Sequence, residues 1–181
     1  MIFGDPADFA IEADVEPDLT PPSAVWGHMC VWCRGRRLGN IDELHCCLHH
    51  AARSLLWCAI NLDALWSNEL AAFNDIQQWN FLDGLLFGYH GEIALHHRLT
   101  LAELGAFSRE FGKFIFLTNW GEQFDRCKSF LVCPPNSAVR VLYRQAPSFA
   151  LEVAEVTREG FNSAAVGFHQ WFHEQARRLA G

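Results

Sequence analysis

The stretch MIFGDPADFAIEADVEP at residues 1–17 predicts a turn followed by a half-buried strand. Residues 4–6, Gly-Asp-Pro, are turn formers, because glycine has a free φ, aspartate can bond nearby backbone and proline has a fixed φ. Apolar side chains then recur at every second position: Phe9, Ile11, Ala13 and Val15. Glu12 and Asp14 take alternate positions, and this period of two is typical of a strand with one face in the core.

Further strands are predicted on both sides of a helical middle. AVWGHMCVWC (24–33) carries bulky side chains on both faces, which favours a place inside the sheet. Residues 34–36 then predict a turn into a short strand that ends at Leu38-Gly39. Four more strands are predicted at 113–119, 128–133, 138–144 and 149–156, with CPPNSA (133–138) as a hairpin loop.

Helical patterns predict the remaining elements. A helix is expected to begin at Asn40, with Glu43 three residues on as in a capping box, and to continue to about residue 59. Further helices are predicted at 68–79 (with Gly84, Gly88 and Gly91 breaking the pattern), at 99–111 (capped by Thr100 with Glu103) and from about residue 162 (with an apolar stripe of Ala165, Phe168, Phe172, Ala176 and Leu179). Strands from both chain ends, with helices in the middle and at the C-terminus, predict an α+β fold with an antiparallel β-sheet, as one domain over residues 1–181.

The charge and the cysteines limit the possible partners and the compartment. The net charge is −7 with no basic run, so we expect no nucleic-acid partner, and a basic protein partner would suit this surface better. The longest uncharged apolar stretch, SLLWCAINL (54–62), is too short to span a membrane. Seven cysteines, an odd number, and no secretory signal pattern predict reduced thiols in the cytoplasm.

One Cys/His pattern has the spacing of a zinc site. Cys30 and Cys33 are followed by Cys46 and His50, which gives C-x2-C-x12-C-x3-H. Against zinc, residues 30 and 33 of a strand point to opposite faces. We therefore expect no metal and no cofactor, and a zinc-binding interaction module stays as an alternative.

Catalytic motifs are missing from the sequence. His169 and His173 lie one helical turn apart, but Gln170 follows His169 where a metalloprotease needs glutamate, and His96-His97 would point in different directions. There is no nucleophile elbow and no phosphate loop. We expect no enzymatic activity, with a small cytosolic enzyme that uses an unrecognised Cys or His centre as the other alternative.

The segment TNWGEQFDR (118–126) supplies the candidate binding residues. Trp120 stands there in a polar loop with Glu122 and Asp125. An exposed aromatic ring among carboxylates would be a good anchor for a basic partner. The alternative is that Trp120 folds back and covers the edge of the sheet.

Several segments together resemble the immunity protein 42 family of bacterial polymorphic toxin systems. In that family a short Met-Ile-x-Gly turn leads into a Phe-Ala-Ile strand, as in the opening stretch, and CVWCRGRRLG (30–39) resembles its second and third strands. FLVCPPNSAVRVLYR (130–144), with Arg140 inside an apolar strand, and LEVAEVTREGF (151–161) are similar to its C-terminal part. The resemblance does not cover residues 41–110.

The resemblance implies a cytoplasmic protein that binds a cognate toxin, at its C-terminal toxic domain, and neutralises it by occlusion. No catalytic residues are carried over, because such families act by covering the toxin. We therefore expect the interface to be a contiguous patch with an aromatic centre and acidic surroundings.

Overall fold

A computed structural model describes residues 1–88 and 100–181, which form nine strands in two antiparallel sheets and four α-helices. The first sheet contains β1 (Ile2–Gly4), β2 (Phe9–Val15), β3 (Trp26–Cys33), β4 (Arg36–Leu38) and β5 (Cys46–Cys47). The second contains β6 (Ile115–Phe116), β7 (Cys127–Val132), β8 (Val139–Gln145) and β9 (Glu152–Val156). The helices are α1 (Leu48–Ile60), α2 (Asp75–Phe87), α3 (Leu101–Phe111) and α4 (Arg158–Leu179). The predicted α+β class is confirmed.

The opening turn brings β1 against the C-terminal helix. Gly4 has φ +94°, and a Cβ added there would lie 2.4 Å from the Phe9 carbonyl oxygen and 2.8 Å from the Ala164 Cβ of α4. A residue with a side chain would therefore be strained in φ and would also push α4 away. The close fit at Gly4 therefore allows the start of the chain to pack against the last helix.

The main core is enclosed by both sheets together with α1 and α4. The alternating apolar residues of β2 face inward as predicted, and the Phe9 ring lies 4.6 Å from the ring of Phe161 on α4. Phe161 in turn lies 6.2 Å from Phe116 of the second sheet. The predicted stripe of α4 contacts this core: Ala165, Phe168, Phe172, Ala176 and Leu179.

The other face of the second sheet carries a smaller core with α2 and α3. Phe130 of β7 packs edge-on against Trp79 of α2 at 4.9 Å. Arg140 of β8 joins the same two layers, since it donates to Asp75 at 2.5 Å and to Gln78 at 3.2 Å. The arginine within the apolar strand thus links β8 to the first turns of α2.

The strands from the two chain ends divide between the two sheets. β4 and β5 both pair with β3, at the edge of the first sheet. Side chains from the second half of the chain bond to this edge region: Gln145 accepts from the Gly39 N–H at 2.9 Å and donates to the Arg37 carbonyl at 3.1 Å. The two sheets are separate, and the Gln145 side chain of the second sheet supplies hydrogen bonds to the edge of the first.

The helix predicted from Asn40 begins eight residues later, at Leu48, so that prediction of its start is wrong. The Asn40 N–H bonds to the Gln123 carbonyl at 2.7 Å, and Cys46–Cys47 pairs with β3. These long-range bonds replace the helical ones over residues 40–47. Leu44, which lies within the predicted helix, is exposed.

Two of the other helices change their limits, and one of them keeps its predicted cap. The helix predicted at 68–79 is a 3-10 turn at Asn68–Leu70 followed by α2, which continues through Gly84 and ends at Gly88 with φ +68°. Gly84 therefore does not break the helix, and Gly91 lies outside the described residues. Before α3, Thr100 and Glu103 form the predicted capping box.

Two elements in the second half of the chain, β6 and α4, also differ from prediction. The strand predicted at 113–119 is reduced to β6, because Gly112–Phe114 forms a 3-10 turn and both Leu117 and Asn119 have positive φ. α4 begins at Arg158, four residues earlier than predicted, because Thr157 accepts a capping hydrogen bond from the Gly160 N–H at 3.0 Å.

Within residues 1–88 and 100–181 no helix has the length and apolar character to cross a membrane.

Candidate protein-interaction surface

One face of the first sheet lies outside the main core and carries aromatic and acidic side chains. Helix α4 packs on the inner face, where Phe9 meets Phe161, so the alternate positions of β2, β3 and β4 point outward. We call this surface the aromatic-acidic face. It consists of Ala10, Glu12, Asp14, Glu16, Trp26, His28, Cys30, Trp32 and Arg37.

Neighbouring groups hold the two tryptophans of this face. Trp26 is 39% exposed, and its ring meets the ring of His45 edge-on at 5.5 Å. Trp32 is half-buried and donates from Nε1 to Glu12 Oε2 at 2.9 Å. The Cys30 thiol donates to the same carboxylate oxygen at 3.4 Å. Contacts within the chain therefore hold both indole rings in place in the unbound protein.

Carboxylates and histidines continue the face along β2 and β3. His28 Nε2 lies 2.8 Å from Glu16 Oε1, and His45 Nδ1 lies 3.2 Å from the same oxygen. Asp14 is 66% exposed and pairs with the N-terminal ammonium at 2.9 Å. Three carboxylates thus lie along β2 beside the tryptophans. They outnumber the two cations of this surface, Arg37 and the N-terminal ammonium, so the face is acidic.

A buried glutamine supports the face from behind. Gln123, 2% exposed, lies against the edge of β3 between its pairings with β4 and β5. Its Oε1 accepts from the Met29 N–H at 3.0 Å, which directs its Nε2 toward His28 Nδ1 at 3.1 Å. His28 Nδ1 also lies 3.0 Å from the Glu43 carbonyl oxygen. No periodic pattern in the sequence points to Gln123, because it lies in a short 3-10 turn, Glu122–Phe124.

The predicted binding loop is placed differently from the exposed anchor that its polar sequence suggested. Trp120 is 4% exposed and packs between Phe116 and Phe124, at 5.3 and 6.1 Å, so the exposed-anchor prediction is wrong for this side chain. Its ring covers the β6 end of the second sheet, as in the alternative interpretation. Glu122 and Asp125 are exposed, and a role for them in binding stays a prediction.

A cleft connects this loop with the aromatic-acidic face. It has a volume of about 410 Å³, and Glu122 lines it together with Arg37, Asn40 and Glu43. Arg37 pairs with Trp32 across β4 and β3. The exposed carboxylate of Glu122 therefore borders the same surface that carries the tryptophans.

The four residues that have the spacing of a zinc site make other contacts. Cys30 lies on the outer face and Cys33 in the main core, Cys46 donates to Gln123 Oε1 at 3.2 Å, and His50 lies against Trp120 at 6.2 Å. In the part of the chain that the structure describes, no three His, Cys, Asp or Glu residues form a group that could hold a metal ion. The zinc alternative is therefore not favoured.

Burial also keeps the thiols protonated. It raises the pKa of Cys30 to about 12, with the Glu12 carboxylate adding to the shift, and that of Cys46 to about 11. Burial raises the pKa of both Cys58 and Cys127 to about 12 as well. A thiol attacks as its thiolate, so these cysteines are poor nucleophiles at neutral pH.

The histidine pair of α4 lies apart from the aromatic-acidic face. The rings of His169 and His173 are 4.3 Å apart and edge-on. Burial, followed by the neighbouring His173, lowers the pKa of His169. His96 and His97 lie outside the described residues.

Comparison with known proteins identifies the family. The family model described as immunity protein 42 matches residues 1–171. The chain belongs to the immunity protein 42 family. It is thus an immunity protein that neutralises a toxin, and the match includes the middle of the chain, which the motif resemblance did not cover.

A solved structure shares the fold of this immunity protein. It is the crystal structure of CdiI from Burkholderia dolosa, with 14% sequence identity and a TM-score of 0.60, over 94% of this chain and 99% of that one. At this identity the likeness shows the fold alone. A search among curated proteins found no match.

Proposed function

We propose that this immunity protein acts by occlusion: it covers the working surface of its cognate toxin with the aromatic-acidic face and catalyses no reaction. The target is the C-terminal toxic domain of the toxin, and the complex forms in the cytoplasm of the protected cell. The observation that carries the proposal is the ordered pair Trp26 and Trp32 beside the carboxylates of Glu12, Asp14 and Glu16.

The order of this surface favours tight binding. Tryptophans at the centre of an interface contribute much of its binding energy. The indole of Trp32 is already bonded to Glu12, and the ring of Trp26 already rests on His45. A partner therefore meets side chains that lose little further freedom, which lowers the entropic cost of association.

The charge of the face supports a basic partner. Its carboxylates lie in a chain with a net charge of −7. Complementary potentials accelerate encounter and disfavour wrong partners. We infer that the toxin presents a basic surface, and that covering it blocks the toxin's action.

The protonated thiols support a role without catalysis. A cysteine nucleophile needs a lowered pKa or an adjacent base, whereas burial raises the pKa of Cys30 and Cys46 to about 12 and about 11. The rings of His28 and His45 share the Glu16 carboxylate on a sheet face and lie 6.5 Å apart.

The proposal is tested with the toxic domain of the cognate toxin, by calorimetry and by a cell-protection assay. Trp26→Ala should weaken binding at least tenfold, which is about 1.4 kcal/mol. The variant Glu12→Gln/Asp14→Asn/Glu16→Gln should slow association and reduce its dependence on salt, because it removes the steering field. Its control neutralises three other exposed carboxylates, Glu69→Gln/Glu110→Gln/Glu174→Gln, and should leave affinity nearly unchanged.

The outcomes separate this face from other surfaces. Loss of protection in the face variants, with unchanged melting temperature, supports the proposal. Wild-type affinity of both folded face variants would contradict it. If the immunity protein itself catalyses a reaction while it inhibits the toxin, the occlusion mechanism is contradicted.

A further inference from the structure

A second surface, of opposite charge, lies between α1 and the edge of the second sheet. It is a groove of about 1140 Å³, larger than most pockets for small molecules. We call it the α1–β6 groove. Arg53 and Trp57 of α1 form one wall, Lys113 and Ile115 the other, and Trp120 also lines it.

The charge of the groove contrasts with that of the whole chain. Of the described residues that line it, none is Asp or Glu, whereas Arg53 and Lys113 are cationic. Neither cation forms an ion pair with a carboxylate in residues 1–88 and 100–181. Since Asp and Glu outnumber Lys and Arg by 21 to 14 in the sequence, a groove without carboxylates is a distinct electrostatic feature.

The groove also offers apolar surface to a partner. Trp57 is 44% exposed and Ile60, one turn further along α1, is 71% exposed. Exposed large apolar side chains next to cations suit a ligand that carries both apolar groups and carboxylates.

The length of the groove suits an extended peptide. Its lining residues run along α1 from the first turn to the last, and a helix of 13 residues is about 20 Å long. An extended chain rises about 3.3 Å per residue, so about six residues would fill the groove. The opposite wall includes Ile115 of β6, the edge strand of the second sheet.

The groove lies next to the aromatic-acidic face. β5 separates the two surfaces: Cys47 lines the groove and is paired in register with Trp26 of the face. One partner can therefore contact both surfaces at once. Two adjacent surfaces of opposite charge would allow a partner only one orientation.

We propose that the α1–β6 groove binds an extended segment of the toxin that carries carboxylates and apolar side chains. This inference rests on the proposed function for the identity of the partner, and it adds a second contact. The carboxylates pair with Arg53 and Lys113, while the apolar side chains cover Trp57 and Ile60.

The first experiment reverses the charge of the groove. Arg53→Glu/Lys113→Glu should weaken binding of the toxic domain at least tenfold, because like charges would then face each other. The matched control Arg109→Glu/Arg178→Glu changes net charge equally at exposed positions outside the groove lining and should change affinity less than twofold. Circular dichroism and melting temperature confirm that both variants are folded.

The second experiment identifies the segment. A photo-reactive benzoylphenylalanine at position 57, in the complex of the full chain with the toxic domain, should cross-link to a toxin segment that contains Asp or Glu. Unchanged affinity of the folded groove variant, or a cross-link to a segment rich in Lys and Arg, overturns the inference.

The groove and the aromatic-acidic face can fail separately. If Trp26→Ala binds like wild type and the groove variant loses affinity, the groove stands and the proposed face falls. If the groove variant binds like wild type and Trp26→Ala loses affinity, the reverse holds.

Discussion

The Gln123 side chain accepts a hydrogen bond of 3.0 Å from the backbone N–H of Met29, which lies 94 residues earlier in the sequence. The bond gives the Met29 N–H of β3 an acceptor at a position where neither β4 nor β5 pairs with the strand. The Nε2 of the same amide lies 3.1 Å from Nδ1 of His28 on the aromatic-acidic face. A loop of the second half of the chain therefore supports the surface that we assign to toxin binding.

Replacing Gln123 by methionine should lower the free energy of unfolding by about 1–3 kcal/mol, because a buried N–H of Met29 loses its acceptor. Urea denaturation monitored by tryptophan fluorescence measures the change. Gln170→Met, at an exposed position of α4, is the control and should stay within about 0.5 kcal/mol of wild type. Equal stability of the two variants would show that Gln123 is not needed at the edge of β3.

Trp120→Ala should lower the free energy of unfolding by about 3–5 kcal/mol, as expected for an aromatic side chain removed from a core. Trp26→Ala removes a side chain that is 39% exposed and should cost much less. Thermal denaturation of the two variants gives the comparison. A Trp120→Ala protein as stable as wild type would mean that this ring is not part of the core.

The exposed carboxylates of the same loop test its predicted role in binding without disturbing the core. If the loop contacts the toxin, Glu122→Ala/Asp125→Ala should weaken affinity by more than 1 kcal/mol while the melting temperature stays constant. Calorimetry with the toxic domain measures the effect. Unchanged affinity would remove the loop from the interface and leave Glu122 as a neighbour of the cleft.

The elements that could be predicted from sequence are those whose signal is local and periodic. β2 follows from alternation, and α4 follows from apolar residues at helical spacing. The capping box at Thr100 and Glu103 was equally predictable, because three positions suffice to recognise it. In each case tertiary contacts agree with the local preference.

The parts that could not be predicted depend on contacts between distant segments. Asn40 and Glu43 look like the start of a helix, but a bond from Asn40 to Gln123 holds the backbone in another path. Trp120 looks exposed because its sequence neighbours are polar, yet Phe116 and Phe124 enclose it. The aromatic-acidic face becomes visible only when the register of β2 and β3 is known.

The buried thiols should react slowly in the native protein. At pH 7.4, a disulfide reagent such as DTNB should label Cys30, Cys58 and Cys127 far more slowly than in urea, because burial raises the pKa of each to about 12. Mass spectrometry after partial labelling locates the reacted thiols. Cys47, which is only half-buried, should be labelled first. Rapid labelling of Cys30 in the native protein would instead indicate an activated thiolate and would favour the alternative of an enzyme with a Cys centre.

Acid should destabilise the protein in part through His169. Burial and the neighbouring His173 lower the pKa of His169 below its ordinary value of 6.5. As the pH falls below 6.5, the unfolded chain binds a proton at this site before the folded protein does, so the free energy of unfolding decreases. His169→Gln should therefore lose less stability between pH 7 and pH 5 than wild type, as measured by melting temperature across that range. His173→Gln removes one cause of the lowered pKa and should give an intermediate pH dependence. Parallel curves for wild type and His169→Gln would show that His169 has the same pKa in the folded and unfolded states.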